Sequence, residues 1–313
     1  MRAGLGGGWK NALALIIWMI WCFWILTKER KNIEVVHAID LDTVLPALLF
    51  SKIFRKKLIF DIYDSYGDAR SMGGAGRKIV DAIERFAALH SQHVILPDMC
   101  RRSQVPDGVR DVRIIENVPC EYDEQTSRFA GDSPRVKLAY VGILEEHHRG
   151  LEDLLAVVAR YPEKVELQIA GFGPLEKKCS AAMQDHKNIH FHGAVTPRQA
   201  IELMAGCDVV IGMYYRTKEH HSKATPNKYY EHLMLSKALL TTKGTPPGQK
   251  VEAGLSGWAL EEGEAALGKL FDTVTQEECW KLGNNASEKW KSDYADYFQA
   301  VLVEKYARQL CSI

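Results

Sequence analysis

Residues 136–214 decide the fold. They read VKLAYVG (136–142), GLEDLLAVVARYP (150–162), VELQIAG (165–171), PLEKKCSAAMQD (174–185), IHFHGAV (189–195), PRQAIELMAG (197–206) and DVVIGMY (208–214). Four short apolar runs of strand length alternate with three segments of helical length and spacing. Strands joined by single helices need right-handed crossovers, so the stretch predicts a parallel, Rossmann-like α/β sheet.

Working outward, the C-terminal side continues with a helix NKYYEHLMLS (227–236), a strand ALLTT (238–242) and a helical tail over 286–310. Between them TTKGTPPGQKVEAGLSGWAL (241–260) reads as a Gly-rich connection ahead of Glu261, Glu262 and Glu264. On the N-terminal side, CEYDEQTSRFAGDSP (120–134) loses apolar periodicity and gathers Gly, Ser, Asp and Pro, which marks a linker. Before it, IEVVHAI (33–39) and KLIFDIY (57–63) read as buried parallel strands around a helix at 41–54. A helix at 76–90, a strand at 93–97 and a strand with its turn at 111–119 complete this half. The domains expected are therefore 1–134 and 135–285, with a C-terminal helix over about 286–313 packing near or across the cleft.

The 313 residues are 46% hydrophobic, enough for two cores, and 40 Lys and Arg balance 40 Asp and Glu. That balance gives no electrostatic footprint for a nucleic-acid partner. Locally, residues 1–60 carry nine basic residues against four acids, which suits either a solvated face or an anionic membrane surface. Seven cysteines lack CxxC spacing, so neither a zinc site nor a disulfide framework is expected, and a reducing cytoplasm fits. The pairs His147-His148 and His220-His221 have no carboxylate or cysteine at ligand spacing, so no metal site is expected. The apolar stretch 12–26 is 15 residues long, short of the roughly 20 that span a bilayer. A buried or interfacial helix, a membrane-inserted anchor and a signal segment all stand as readings of it.

Ligands of open parallel sheets bind beyond the carboxyl ends of the strands, where helix N-termini offer free N–H groups. Several features converge on that edge of the second domain. In YVGILEEHHRG, Gly142 ends a strand and Arg149 precedes the next helix, where its planar fork suits a diphosphate as well as it suits solvent. In AGFGP, Gly171 and Gly173 either admit a ligand to the backbone or make a tight turn. In TPNKYYE, Thr225 or Asn227 is positioned to cap a helix, Lys228 adds a mobile cation, and Glu231 lies one turn on, where a carboxylate can take both hydroxyls of a ribose. An ordinary capped helix with a surface Lys and Glu is the plainer alternative.

The order YVG…RG, LQIAGFGP, FHGAV, DVVIGMY, TPNKYYE and GWAL resembles the donor domain of glycosyltransferase family 4 over about 136–260. The resemblance implies a GT-B architecture, two Rossmann-like domains facing a cleft, and a retaining, metal-independent transfer that uses no cofactor beyond its nucleotide-diphosphate sugar donor. It assigns diphosphate contacts to Arg149 and Lys228 and the ribose contact to Glu231, with Gly142, Gly171, Gly173, Thr225 and Asn227 around the donor. Lys223 stands where many members carry an acid near the transferred sugar, and Glu219 is the nearest carboxylate. The first domain resembles the acceptor domain more loosely, which points to Asp61, Tyr63 and Asp64 as acceptor-side residues. Tyr63 occupies the place of the His many members set beside an acid. The run Gly4 to Gly8 stands too near Met1 to follow an opening strand, so the usual first strand and Gly-rich loop are expected to be missing. The expected acceptor is a lipid-linked or glycan molecule, in surface polysaccharide or glycoconjugate biosynthesis. The expected location is the cytoplasm, peripheral on the inner face of the cytoplasmic membrane. A donor-binding remnant without transfer and a sugar-nucleotide 2-epimerase are the alternatives; an epimerase would need an acid/base pair that the sequence does not show.

Overall fold

A computed structural model describes residues 9–70, 72–109, 111–119, 134–217 and 219–308. The run Gly4 to Gly8 and nearly all of the linker at 120–134 lie outside the described residues. The chain divides into two compact units, Met1–Glu116 with Tyr306–Ile313, and Asn117–Lys305.

The first unit runs α1 (Trp9–Lys28), β1 (Val35–Ile39), α2 (Asp40–Phe54), β2 (Lys57–Asp61), α3 (Tyr66–Ala69), α4 (Gly74–His90), β3 (His93–Leu96) and β4 (Val112–Ile114). Its four strands pair in parallel in the order β1-β2-β3-β4, with Ile39 opposite Asp61 and Ile59 opposite His93. All four residues of β3, and all of β2 after Lys57, are buried, as expected for strands covered on both faces. Val44 and Leu48 of α2, Ala87 and Ala88 of α4, and Phe60, Val94 and Leu96 of the sheet make the core. Leu15 and Leu26 of α1 pack against it, while Leu13, Ile16, Ile20 and Trp24 on its other side stay exposed. The apolar helix is therefore not enclosed by the described residues. No helix among these residues is long and apolar enough to cross a membrane.

The second unit runs β5 (Val136–Val141), α5 (Leu151–Val158), β6 (Val165–Ala170), α6 (Glu176–Asp185), β7 (Ile189–Phe191), α7 (Pro197–Ala205), β8 (Val209–Gly212), α8 (Asn227–Met234), β9 (Ala238–Thr242), α9 (Pro246–Gly254), β10 (Gly257–Leu260), α10 (Glu264–Thr273) and α11 (Gln276–Asp293). Its six parallel strands lie in the order β10-β9-β8-β5-β6-β7. The chain moves outward from β5 through β6 to β7, then returns to place β8 on the other side of β5. That reversal opens a crevice between the carboxyl ends of β5 and β8.

Three expectations are corrected. The division falls at Glu116 and Asn117, ahead of the linker, because Asn117 already bonds the Thr225 carbonyl (3.5 Å) and Val118 packs on the second core. The segment 241–260 is not a connection: Thr245 caps α9 through the Gly248 N–H, two prolines open that helix, and β10 adds an edge strand. The tail is not one helix. α11 ends at Asp293 and is followed by its cap Tyr294, whose ring lies 5.4 Å from that of Tyr230, and a separate π-helix spans Phe298–Ala307.

Candidate functional site

The crevice of the second unit is built from the loop after β5, the loop after β6 and the extension of β8. The first two are zipped together by backbone bonds, Gly142 N to Ala170 O (3.0 Å), Leu144 N to Phe172 O (3.0 Å) and Leu175 N to Leu144 O (3.2 Å). This closeness explains the glycines of AGFGP. A Cβ on Gly171 would lie 1.8 Å from the Gly142 oxygen, and one on Gly173 would lie 2.7 Å from the Leu144 oxygen. Gly171 and Gly173 thus admit a neighbouring loop, which accounts for the tight turn at this position.

Arg149 closes the β5 loop. Gly150 after it takes φ +63°, and a Cβ there would meet the Tyr215 hydroxyl and the Met213 sulfur at about 3 Å. The His148 carbonyl accepts from the Tyr215 N–H (2.9 Å), which ties the loop to the end of β8. The Arg149 guanidinium lies over the Tyr214 ring, 4.9 Å from its centre, and its Nε donates to Glu145 (3.3 Å). Burial pushes the Tyr214 phenol above its ordinary pKa, against the opposing pull of Arg149; Glu231 adds to the rise. Tyr214 also meets His221 edge-on at 5.6 Å, and the buried His221 has its Nδ1 at 3.0 Å from the Tyr215 carbonyl. The sequence reading missed Tyr214, His221 and Glu145. The tyrosine pair in GMYYRT was the available signal.

At the start of α8 the cap is Pro226, extended and without a side-chain bond, so neither Thr225 nor Asn227 caps the helix. Its first N–H groups are left without a capping side chain, and Asn227 is the exposed first residue. A Cβ on Gly212 would approach the Lys228 Cβ at 3.3 Å, which sets Lys228 beside the carboxyl end of β8. Lys228 and Glu231 form an ion pair with each other, at 16% and 15% side-chain exposure. Arg149, Lys228 and Glu231 therefore share one edge of the sheet, with Tyr214 electrostatically coupled to Arg149 and Glu231.

In the first unit, Asp61 ends β2 and is buried, with its Oδ2 at 3.1 Å from His37 Nε2. The other ring nitrogen, Nδ1, lies 2.6 Å from the Tyr306 hydroxyl. Burial, with the Asp61 charge adding to it, pushes the Tyr306 phenol up to about 12. Tyr63 has an exposed side chain, while its backbone is fixed at both ends: its N–H donates to Asp40 (2.9 Å) and its carbonyl accepts from Arg101 (2.9 Å). The buried Arg101 also donates to Asp64 (2.7 Å). Asp40, at φ +54°, has its carboxyl raised above the usual range by desolvation, which outweighs its bonds to the Tyr63 and Asp64 N–H groups. Asp61, Tyr63 and Asp64 thus lie in one polar cluster, to which the structure adds His37, Asp40, Arg101 and Tyr306. Among the described residues no group of three or more His, Cys, Asp or Glu is placed to hold a metal ion.

Residues 135–274 match the family model described as Glycosyl transferases group 1. The second unit carries a glycosyltransferase domain. No curated protein matches the chain. Among solved structures, the Anabaena protein Alr3699/HepE in complex with UDP-glucose is similar at 15% identity and TM-score 0.68, over 93% of this chain and 82% of that one. TarM of S. aureus, in complex with fondaparinux, α-GlcNAc-glycerol and UDP, is similar at 15% identity and TM-score 0.63, over 91% of this chain and 58% of that one. The lipopolysaccharide outer core galactosyltransferase WaaB is similar at 14% identity and TM-score 0.62, over 94% and 81%. The architecture is that of the GT-B glycosyltransferases, two parallel-sheet α/β units of four and six strands. Arg149, Lys228 and Glu231 all fall inside the glycosyltransferase domain.

Proposed function

We propose that the chain transfers a sugar from a nucleotide-diphosphate donor to a lipid-linked or glycan acceptor, with retention and without a metal ion, in building a surface polysaccharide or glycoconjugate. The observation that carries this reading is the convergence of Arg149, Lys228 and the uncapped start of α8 on the crevice edge of a glycosyltransferase domain. Breaking the anomeric C–O bond leaves negative charge on the departing diphosphate. Two cations and the positive end of the α8 dipole stabilise that charge more as it grows, which lowers the barrier and not only the energy of the bound donor. Glu231 takes the ribose hydroxyls, and Lys228, released from Glu231, turns to the phosphates. The UDP complexes of HepE and TarM support a donor of this class.

On the acceptor side, the exposed Tyr63 side chain and the carboxylates of Asp61 and Asp64 offer hydrogen bonds to acceptor hydroxyls. The exposed face of α1, with the basic residues that follow α1 and α2, suits peripheral attachment to the inner face of the cytoplasmic membrane, within reach of a lipid-linked acceptor. Incubation with radiolabelled nucleotide sugars and a lipid-linked acceptor tests the reading. Arg149→Ala and Lys228→Ala should lower turnover more than donor affinity, and Arg149→Lys should restore only part of it. Wild-type turnover in both alanine variants would remove the phosphate role.

A further inference from the structure

At the amino-terminal edge of the first sheet, opposite the ends that carry Asp61, Tyr63 and Asp64, lies a pocket of about 560 Å³. It is set where α2 and α4 finish and β2 and β3 begin. Leu48, Leu58 and Leu89 give it apolar wall, and Lys52, Lys56 and Lys57 give it positive charge. None of these three lysines forms an ion pair among the described residues. The lining carboxylate, Asp111, is already taken: Arg113 bonds it at 2.7 Å, His93 lies at 2.7 Å, and Arg113 holds its pKa below the ordinary value.

Helix carboxyl ends ordinarily repel anions through their free carbonyls. Here that repulsion is blunted by partners. The Ser51 carbonyl takes the Lys56 N–H, Ala88 takes the Ser91 N–H, Ala87 takes the Ser91 hydroxyl, and Phe86 takes His90 Nδ1. The charge left facing the pocket is positive. Two polar atoms of its lining residues, Ser51 Oγ and His93 Nε2, are buried without a hydrogen-bond partner, on residues that are 6% and 9% exposed. Buried polar atoms are rarely left so, because the desolvation cost is not recovered. A ligand that brings acceptor oxygens to the lysines meets their charge, and the Ser51 hydroxyl, turned toward the same oxygens, gains the partner it lacks.

We propose that this pocket binds the phosphate of a phosphate ester, its apolar wall taking the carbon side of the same molecule. The site is separate from sugar transfer. It rests on the membrane reading only for the source of the ester, a lipid head group or a free metabolite.

Two probes separate the sources: glycerol phosphate by calorimetric titration, and phosphatidylglycerol vesicles by sedimentation against phosphatidylcholine vesicles. The pocket variant Lys52→Gln/Lys56→Gln/Lys57→Gln is compared with Lys28→Gln/Arg30→Gln/Lys31→Gln, which removes equal charge outside the pocket. Glycerol phosphate should bind the wild type saturably, the pocket variant about tenfold or more weaker, and the control variant unchanged. Vesicle retention lost chiefly in the pocket variant identifies a lipid; equal retention of the two variants, with glycerol phosphate still discriminating, identifies a free ester. Ser51→Ala should weaken glycerol phosphate while leaving the melting temperature unchanged or higher, since it deletes a hydroxyl with no partner. Failure of the wild type to bind glycerol phosphate saturably, or equal loss of it in the two triple variants, overturns the site. Sugar transfer enters neither readout, so the two readings fail independently.

Discussion

Lys228 and Glu231 neutralise each other, so on the proposed function a bound donor replaces an existing ion pair. The exchange is favourable only if ribose and diphosphate return what the pair gave up. Glu231→Ala should weaken donor binding by about 1.5 to 3 kcal/mol, roughly 10- to 150-fold, by removing charge-assisted bonds to ribose. Calorimetric titration checks it, and unchanged affinity in a folded variant would remove the ribose role. Asp40 gives a second test. Its carboxyl pKa is raised, so the folded state holds the proton more tightly than the unfolded chain, and the stability from this group is present below the unfolded value of about 3.9 and is lost as pH rises from there through the higher folded value. Asp40→Asn keeps the acceptor for Tyr63 and tolerates φ +54°. It should be at least as stable as wild type at pH 7, with the difference vanishing by about pH 3. That Arg149, Lys228 and Glu231 come to one edge of the sheet was legible in the sequence, because each stands at a strand-to-helix junction or one turn into the following helix. Tyr306 was not, because its partner His37 lies in β1, at the far end of the chain. Gly171 was legible as a turn glycine, but only the fold shows which backbone runs beside it.

α8 carries the Lys228–Glu231 pair on one face and a buried histidine, His232, on another. His232 is fully buried, with Nδ1 at 2.8 Å from the Lys237 carbonyl, and burial lowers its pKa to about 4. The fold therefore demands the neutral ring: the stability it contributes is present above the unfolded value of about 6.5 and is lost as pH falls toward 4. Between pH 7 and pH 5 the wild type should lose about 2 kcal/mol more than His232→Asn, whose amide keeps a donor for Lys237. Urea unfolding at both pH values measures it; equal losses would mean that the ring titrates alike in both states. The strands and helices of 136–214 were legible because β-branched runs and helical spacing alternate cleanly. α9 and β10 were hidden by composition, as two prolines and several glycines resemble a turn until Thr245 is seen capping them. α1 was legible as a helix, but which of its apolar faces meets the core is decided by α2, a tertiary fact.

The molecule as a whole joins a glycosyltransferase domain to a first unit with an exposed apolar helix and a basic margin. If that margin attaches the protein peripherally, high salt should release it from membrane pellets, because screening weakens surface attraction. Retention through high salt and alkaline carbonate would contradict peripheral attachment. The claim on which the reading turns is that the β5 and β8 edge of the second unit holds a nucleotide-diphosphate sugar. Thermal unfolding of the wild type, Lys228→Ala and Glu231→Ala across a panel of nucleotide sugars tests it, since a ligand of the folded state raises the melting temperature as its concentration passes its dissociation constant. At least one donor should raise the wild-type transition in a dose-dependent way, with most of the shift lost in both variants. A folded wild type that no nucleotide sugar stabilises, or variants that shift as it does, would contradict the claim.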